Sequence, residues 1–268
     1  MKKFKNIILG TAALVLLTVT SCEKYLDINT NPNAPTSAPI AQVLTNVTVN
    51  VGFTGGSDMH RFTSLIVQQF AGNNAPGTQS REYARYLIQP TDVTGLYNRL
   101  FAIQLQDVEY ILKNSQGSPH YSGIAKILKA YTYSQAVDIW GDLPYTEAFK
   151  APEINQPKLD KAEDIYKAII TLIDQGITEI KATTSAISPG VNETIFRGDR
   201  VRWERFANTM KLRLFLRYSA KEPAFAKSQM DALIASNAPF MGANADNFQM
   251  DFVDATASQN PIHQFENT

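Results

Sequence analysis

The amino-acid sequence predicts an all-α, or mostly all-α, protein: stacked helical hairpins with long loops and a few short strands. Three observations predict it. Apolar residues from Ile40 onward recur at intervals of three and four, the period of one helix face. Glycines and prolines fall mostly between those runs, where they close one helix or open the next. Consecutive runs are joined by connections short enough in places to fold them back as antiparallel pairs, the arrangement of a tetratricopeptide-like solenoid. The repeat consensus itself is not legible, so the expectation concerns architecture alone. With 268 residues, 44% of them hydrophobic and 19% charged, the chain has material for a sizeable core.

The chain opens with Lys2, Lys3 and Lys5, then an apolar run from Ile7 to Val19, then Thr20, Ser21 and Cys22. Charge, apolar stretch and small residues in that order mark residues 1–21 as a secretory signal peptide. The apolar run is shorter than the roughly 20 residues needed to span a bilayer core. Cys22 is the only cysteine, so it has no internal disulfide to form. Val19-Thr20-Ser21-Cys22 resembles the lipobox of bacterial lipoproteins, which implies acylation of Cys22; a free thiol or an intermolecular disulfide are the alternatives. Residues 22–39, with prolines at 32, 35 and 39, read as an extended tether.

The helical body is expected over residues 40–268. Ile40, Val43, Leu44, Val47 and Val51 share one helix face, and Gly52, Gly55 and Gly56 read as a break before Phe62, Leu65, Ile66 and Phe70. A long loop follows from Gly72 to about Thr91. Leu96, Leu100, Ile103, Val108, Ile111 and Leu112 mark a long helix ending at Asn114-Ser115-Gln116-Gly117. Ser118-Pro119 opens its partner, which runs through Ile124, Ile127, Leu128 and Tyr131 to Trp140 and stops at Gly141. A second pair carries Ile165, Ile169, Ile173, Ile177 and Ile180, then Trp203, Phe206, Met210, Leu214 and Tyr218. A short helix fits Pro223 to Ser236, and the alternation of Phe248, Met250 and Phe252 reads as a strand.

Four segments resemble one family, in family order. They are Ser21-Cys22 with Tyr25 to Asn29 and Asn31-Pro32-Asn33; Ala136 to Tyr145, with Trp140-Gly141-Asp142-Leu143-Pro144; Ile165 to Ile169; and Trp203 to Asn208 with Lys211 to Leu214. The chain is similar to the SusD/RagB-like nutrient-binding lipoproteins, in particular the SusD-like, starch-binding-associated branch. Members usually run to about twice this length, so the resemblance implies that residues 40–268 are the N-terminal part of a larger body. It further implies a non-catalytic, lipid-anchored protein of the outer membrane, exposed at the cell surface. Such a protein captures oligosaccharides, or sometimes peptides, and passes them to a TonB-dependent, SusC-like transporter. A surface glycoside hydrolase and a purely protein-binding scaffold are the rival readings.

Candidate ligand contacts are Arg81, Tyr83, Arg85 and Tyr86, because a long loop offering flat rings and fixed donors is suited to recognition. Trp140 and Trp203 are more readily explained as packing residues at helix ends. The basic run Arg197, Arg200, Arg202, Arg205, Lys211, Arg213 and Arg217 is interleaved with Asp199 and Glu204, and reads as a salt-bridged helix face with no nucleic-acid partner. Lys plus Arg equals Asp plus Glu over the whole chain. Asp246, Asp251 and Asp254 lack the turn glycine and terminal glutamate of a calcium loop. His60, His120 and His263 stand far apart, so no metal and no cofactor are expected. Neither a nucleophile elbow nor a phosphate-binding glycine loop is present, so no catalytic residue is assigned.

Overall fold

The computed structural model describes residues 37–72, 78–255 and 258–266, with side chains through residue 264. The signal peptide, Cys22 and all but the last three residues of the tether lie outside them. The described chain is all-α. Helix α1 is Ile40–Gly56, α2 is Asp58–Ile66 and α3 is Gln79–Ala84. Helix α4 has three successive parts, Thr94–Asn98, a π-helical stretch Arg99–Leu105, and Gln106–Asn114. Helices α5 Pro119–Trp140, α6 Ala162–Ile180, α7 Arg200–Tyr218, α8 Pro223–Ala235 and α9 Pro261–Glu266 follow. Among the described residues no sheet forms; one isolated bridge joins Leu143 and Asp160.

The helices pack as hairpins because each hides one apolar stripe. Leu44 and Val47 of α1, Leu100, Leu105 and Ile111 of α4, Ile124, Ile127 and Leu128 of α5, and Ile165, Ile169 and Ile173 of α6 are fully buried in one core. Each such side chain contributes about 1.5–3 kcal/mol by leaving water. The most extensive pairing, α5 on α6, depends on two glycines. A Cβ on Gly123 would stand 2.7 Å from Ile180 Cγ2, and one on Gly176 would stand 2.8 Å from Ile127 Cγ1. Lack of a side chain therefore sets the close approach of the two backbones.

Local chemistry fixes the helix ends. Asp199 accepts from the amides of Val201 and Arg202 at 3.0 and 3.2 Å and starts α7. Gly141, at φ 76°, ends α5 with its amide on the Val137 carbonyl at 2.9 Å. The residues after it tie α5 to α6: Asp142 Oδ1 accepts from the Ala162 amide at 2.8 Å, and Leu143 and Asp160 exchange both backbone bonds. Trp140 is half-buried, edge-on to Tyr97 at 5.5 Å. Trp203 is completely buried, with its Nε1 donating to Glu193 Oε2 at 3.1 Å. Both tryptophans pack, as helix-end aromatics were expected to.

Three expectations need correction. Gly52 and Gly55 do not break α1. Gly52 lies inside it, and a Cβ there would stand 2.7 Å from Met250 Cβ, so the glycine serves close packing. The stretch from Gly72 to Thr91 is not loop throughout, since α3 and a 3₁₀ turn at Pro90–Val93 form within and after it. Phe248, Met250 and Phe252 alternate with exposed neighbours as an extended segment should, yet no described strand pairs with them. Phe248 instead stacks on Phe206 at 3.9 Å.

Candidate functional site

The candidate site is built where α2, α3 and the start of α4 converge. Asp58 and Arg61 lie on α2, three residues apart and on one face; Arg61 Nη2 reaches Asp58 Oδ1 at 3.2 Å. Arg99 approaches the other carboxylate oxygen at 3.7 Å and sits 5.2 Å from the centre of the Phe53 ring. Asp58 and Arg61 line both of two openings here. One, of about 200 Å³, is lined by Asp58, Arg61, Phe62, Gln79, Tyr83 and Asp92, among others. The other, of about 180 Å³, adds Phe53, Ser57 and Arg99.

Helix α3 and the turn that ends it place the four residues expected from the sequence, and they do not treat them alike. Tyr83 is 2% exposed, edge-on to Phe62 at 5.4 Å, with its hydroxyl 3.5 Å from the Asp92 carbonyl oxygen. Burial, and after it the Asp92 carboxylate, push the Tyr83 phenol above its ordinary value. Tyr83 is thus the root of the loop and part of the cleft wall. Arg81 is half-buried in the same helix. Arg85 is exposed and 3.9 Å from Glu82. Tyr86 is 58% exposed and holds a left-handed backbone, φ 61°. Its amide donates to the Tyr83 carbonyl at 3.0 Å, and the Leu87 amide to the Glu82 carbonyl at 2.9 Å.

A non-glycine residue in the left-handed region carries a backbone cost, and an aromatic ring left in solvent forgoes its burial. The turn accepts both at Tyr86. It presents an open ring on a base anchored by Tyr83. Asp92 Oδ2 stiffens the far side by accepting from the Gln89 amide at 2.7 Å. The first opening offers polar groups that a polyhydroxylated ligand needs, carboxylate acceptors at Asp58 and Asp92 and donors at Arg61 and Gln79; Tyr86, on the turn after α3, lines neither opening and offers a separate flat face. Sequence reasoning reached the loop but missed Asp58, Arg61, Gln79 and Asp92. The i, i+3 spacing of Asp58 and Arg61 was the one available signal.

Three further polar clusters are used in packing. Asp246 accepts from Arg205 at 2.7 Å and from the Gly242 and Ala243 amides, anchoring the segment that carries Phe248. Arg200 donates to the Ile180 carbonyl and Lys211 pairs with Asp174, tying the basic face to α6, while Arg202 pairs with Asp199 at the start of its own helix. His120 is buried between Ser188 Oγ at 2.7 Å and the Ala182 carbonyl at 2.8 Å. Among the described residues no group of three His, Cys, Asp or Glu is placed to hold a metal ion, and no helix is long and apolar enough to cross a membrane.

Comparison with known proteins agrees with this architecture. Residues 32–267 match a SusD-like family profile described as "Starch-binding associating with outer membrane". A solved chitin-binding protein is 27% identical, with a TM-score of 0.67 over 78% of this chain and 45% of that one. A SusD/RagB family protein from Bacteroides thetaiotaomicron is 19% identical, with a TM-score of 0.74 over 86% of this chain and 48% of the other. A SusD homologue from Bacteroides uniformis gives 19% and 0.63 over 84% and 46%. At such identities the last two show the shared fold. The chain spans less than half the length of each of these structures. No curated protein matches it.

Proposed function

The chain belongs to the SusD-like family of starch-binding proteins associated with the outer membrane, and from that premise we propose that it captures oligosaccharides at the α2–α3 site without cleaving them. Tyr86 carries the reading: an aromatic ring held in solvent by a left-handed turn, next to Arg85. A ring of this kind stacks on the C–H face of a sugar, while Asp58, Arg61, Gln79 and Asp92 supply bonds to its hydroxyls. Openings of about 200 and 180 Å³ fall below the roughly 300–1,000 Å³ of enclosing small-molecule sites, which suits holding part of a long polymer without enclosing it. The chitin-binding neighbour supports a glycan as the ligand class.

The rest of the proposal extends to parts outside the described residues. Cys22 is the acylated anchor, residues 1–21 are the removed leader, and the tether 22–39 holds the body off the outer membrane at the cell surface. The captured glycan passes to a TonB-dependent, SusC-like transporter. Retention in affinity electrophoresis on starch and on soluble chitin derivatives, with no new reducing ends released, is the expected behaviour. Release of reducing ends identifies a hydrolase instead. Absence of retention on every glycan, together with capture of a transporter, identifies a protein-binding scaffold.

A further inference from the structure

Two of the segments singled out in the sequence, Ala136 to Tyr145 and Ile165 to Ile169, meet the end of α7 around a separate and larger cleft. It measures about 650 Å³ and is lined by Asp138, Glu163, Tyr166, Arg217, Tyr218 and Lys221, with Ala162 and Glu222 at its wall. That volume falls within the roughly 300–1,000 Å³ typical of small-molecule sites. None of these residues belongs to the α2–α3 site.

Its chemistry is a closed arrangement of polar groups around two phenol rings. The Tyr166 hydroxyl donates to Asp138 Oδ1, and the Arg217 guanidinium pairs with Asp138 Oδ2. Arg217 Nη1 also lies 3.4 Å from the Tyr166 hydroxyl oxygen. The Tyr218 hydroxyl donates to the Glu163 carbonyl at 3.0 Å, and its ring stands edge-on to Tyr166 at 5.8 Å. Lys167 lies 2.6 Å from Glu163 and 3.8 Å from Glu222. Arg217 remains 42% exposed and Asp138 22%, so both retain capacity toward an incoming group.

The charge pattern selects the ligand class. An anion would face Asp138, Glu163 and Glu222; a cation would face Arg217 and Lys221. A neutral polyol meets neither opposition and finds donors, acceptors and aromatic surface together. We propose that this cleft is a second binding site, for a neutral mono- or oligosaccharide. The proposal rests on the glycan-binding reading above but uses none of its residues. Burial, and then the hydrogen bond to Asp138, push the Tyr166 phenol up to about 12, so it stays a donor at any physiological pH.

Calorimetric titration of the full chain with the neutral trisaccharides of glucose and of N-acetylglucosamine tests it. Glucuronic acid and glucosamine serve as charged probes. The wild type should show two binding steps. The Arg85→Ala/Tyr86→Ala variant should keep one of them, and adding Ala162→Trp, which fills the cleft without removing a side-chain hydrogen bond, should weaken that step about tenfold or more. Tyr166→Phe should weaken the same step and leaves the Asp138–Arg217 pair in place should the tryptophan disturb folding. Loss of all binding in the loop variant would overturn the cleft site and leave the glycan reading standing. An unchanged remaining step on filling the cleft, or tighter binding of either charged probe, overturns it too. No saccharide binding by the wild type overturns both.

Discussion

Replacing Glu193 should unfold the connection between α6 and α7 more readily than any change on the surface. Its carboxylate is completely buried and accepts from the Ile195 amide at 2.7 Å, the Phe196 and Gly198 amides at 3.0 Å, and Trp203 Nε1 at 3.1 Å. Glu193→Ala orphans four buried donors and opens a cavity beside the completely buried Trp203. One unsatisfied buried donor costs about 1–3 kcal/mol. Partial relaxation and water entry hold the total to about 3–5 kcal/mol, as for other broken buried polar networks. Glu193→Gln keeps the volume but turns an NH₂ toward at least one donor, for about 1–3 kcal/mol. At roughly 2–4 °C per kcal/mol for a chain of this size, the alanine variant should melt about 10 °C lower. Urea denaturation followed by circular dichroism and Trp fluorescence measures both. An alanine variant within about 0.5 kcal/mol of wild type, the range of ordinary surface changes, would refute the assignment of Glu193 as a staple.

Other outcomes follow from the same geometry. Gly123→Ala and Gly176→Ala should each destabilise by about 1–3 kcal/mol by forcing α5 and α6 apart; Gly55→Ala, with nothing within 4 Å of the new methyl, should gain about 0.5–1 kcal/mol. Thermal melts of the three variants separate close packing from helix propensity, and a stable Gly176→Ala contradicts the close crossing. Asp160 is held below the ordinary carboxylate range because bonds from Thr146 and Tyr145 outweigh desolvation, and Asp246 because Gly242 and Arg205 favour its charged form. A lowered folded pKa adds stability above the unfolded value of about 3.9 and loses it as pH falls through the folded one. Denaturant stability should therefore decline on acidification below about pH 4, and Asp160→Asn should flatten that decline. An unaltered acid profile in the variant removes Asp160 from it.

The helical hairpins were legible because a buried helix face writes its period into the sequence. Ile165, Ile169, Ile173 and Ile180 lie fully or almost fully buried along one stripe of α6. What escaped was chemistry that uses an absent side chain or a distant partner. Gly52 carries the signal of a helix break and serves as a contact with Met250, about 200 residues away, which local pattern does not contain. The π-helical stretch of α4 is equally silent in the sequence. There the buried Gln104 donates to the Asn50 carbonyl at 3.1 Å and to Thr54 Oγ1 at 2.8 Å, tying α4 to α1. The alternation at Phe248, Met250 and Phe252 did report an extended chain, and the strand reading failed because no strand among the described residues pairs with it. At the candidate site, residue type drew attention to Tyr83 and Tyr86 together. Only the fold shows that one is the buried root and the other the exposed face.

Glycan capture by an exposed Tyr86 is tested most directly by comparing wild type with Tyr86→Ala and Tyr86→Phe on the glycan that the wild type retains. Loss of a central aromatic contact should cost about 1–2 kcal/mol, a five- to thirtyfold weaker dissociation constant at the α2–α3 site, with Tyr86→Phe close to wild type and the melting temperature unmoved. Equal affinity of wild type and Tyr86→Ala in a folded protein would contradict the assignment of this turn as the capture site.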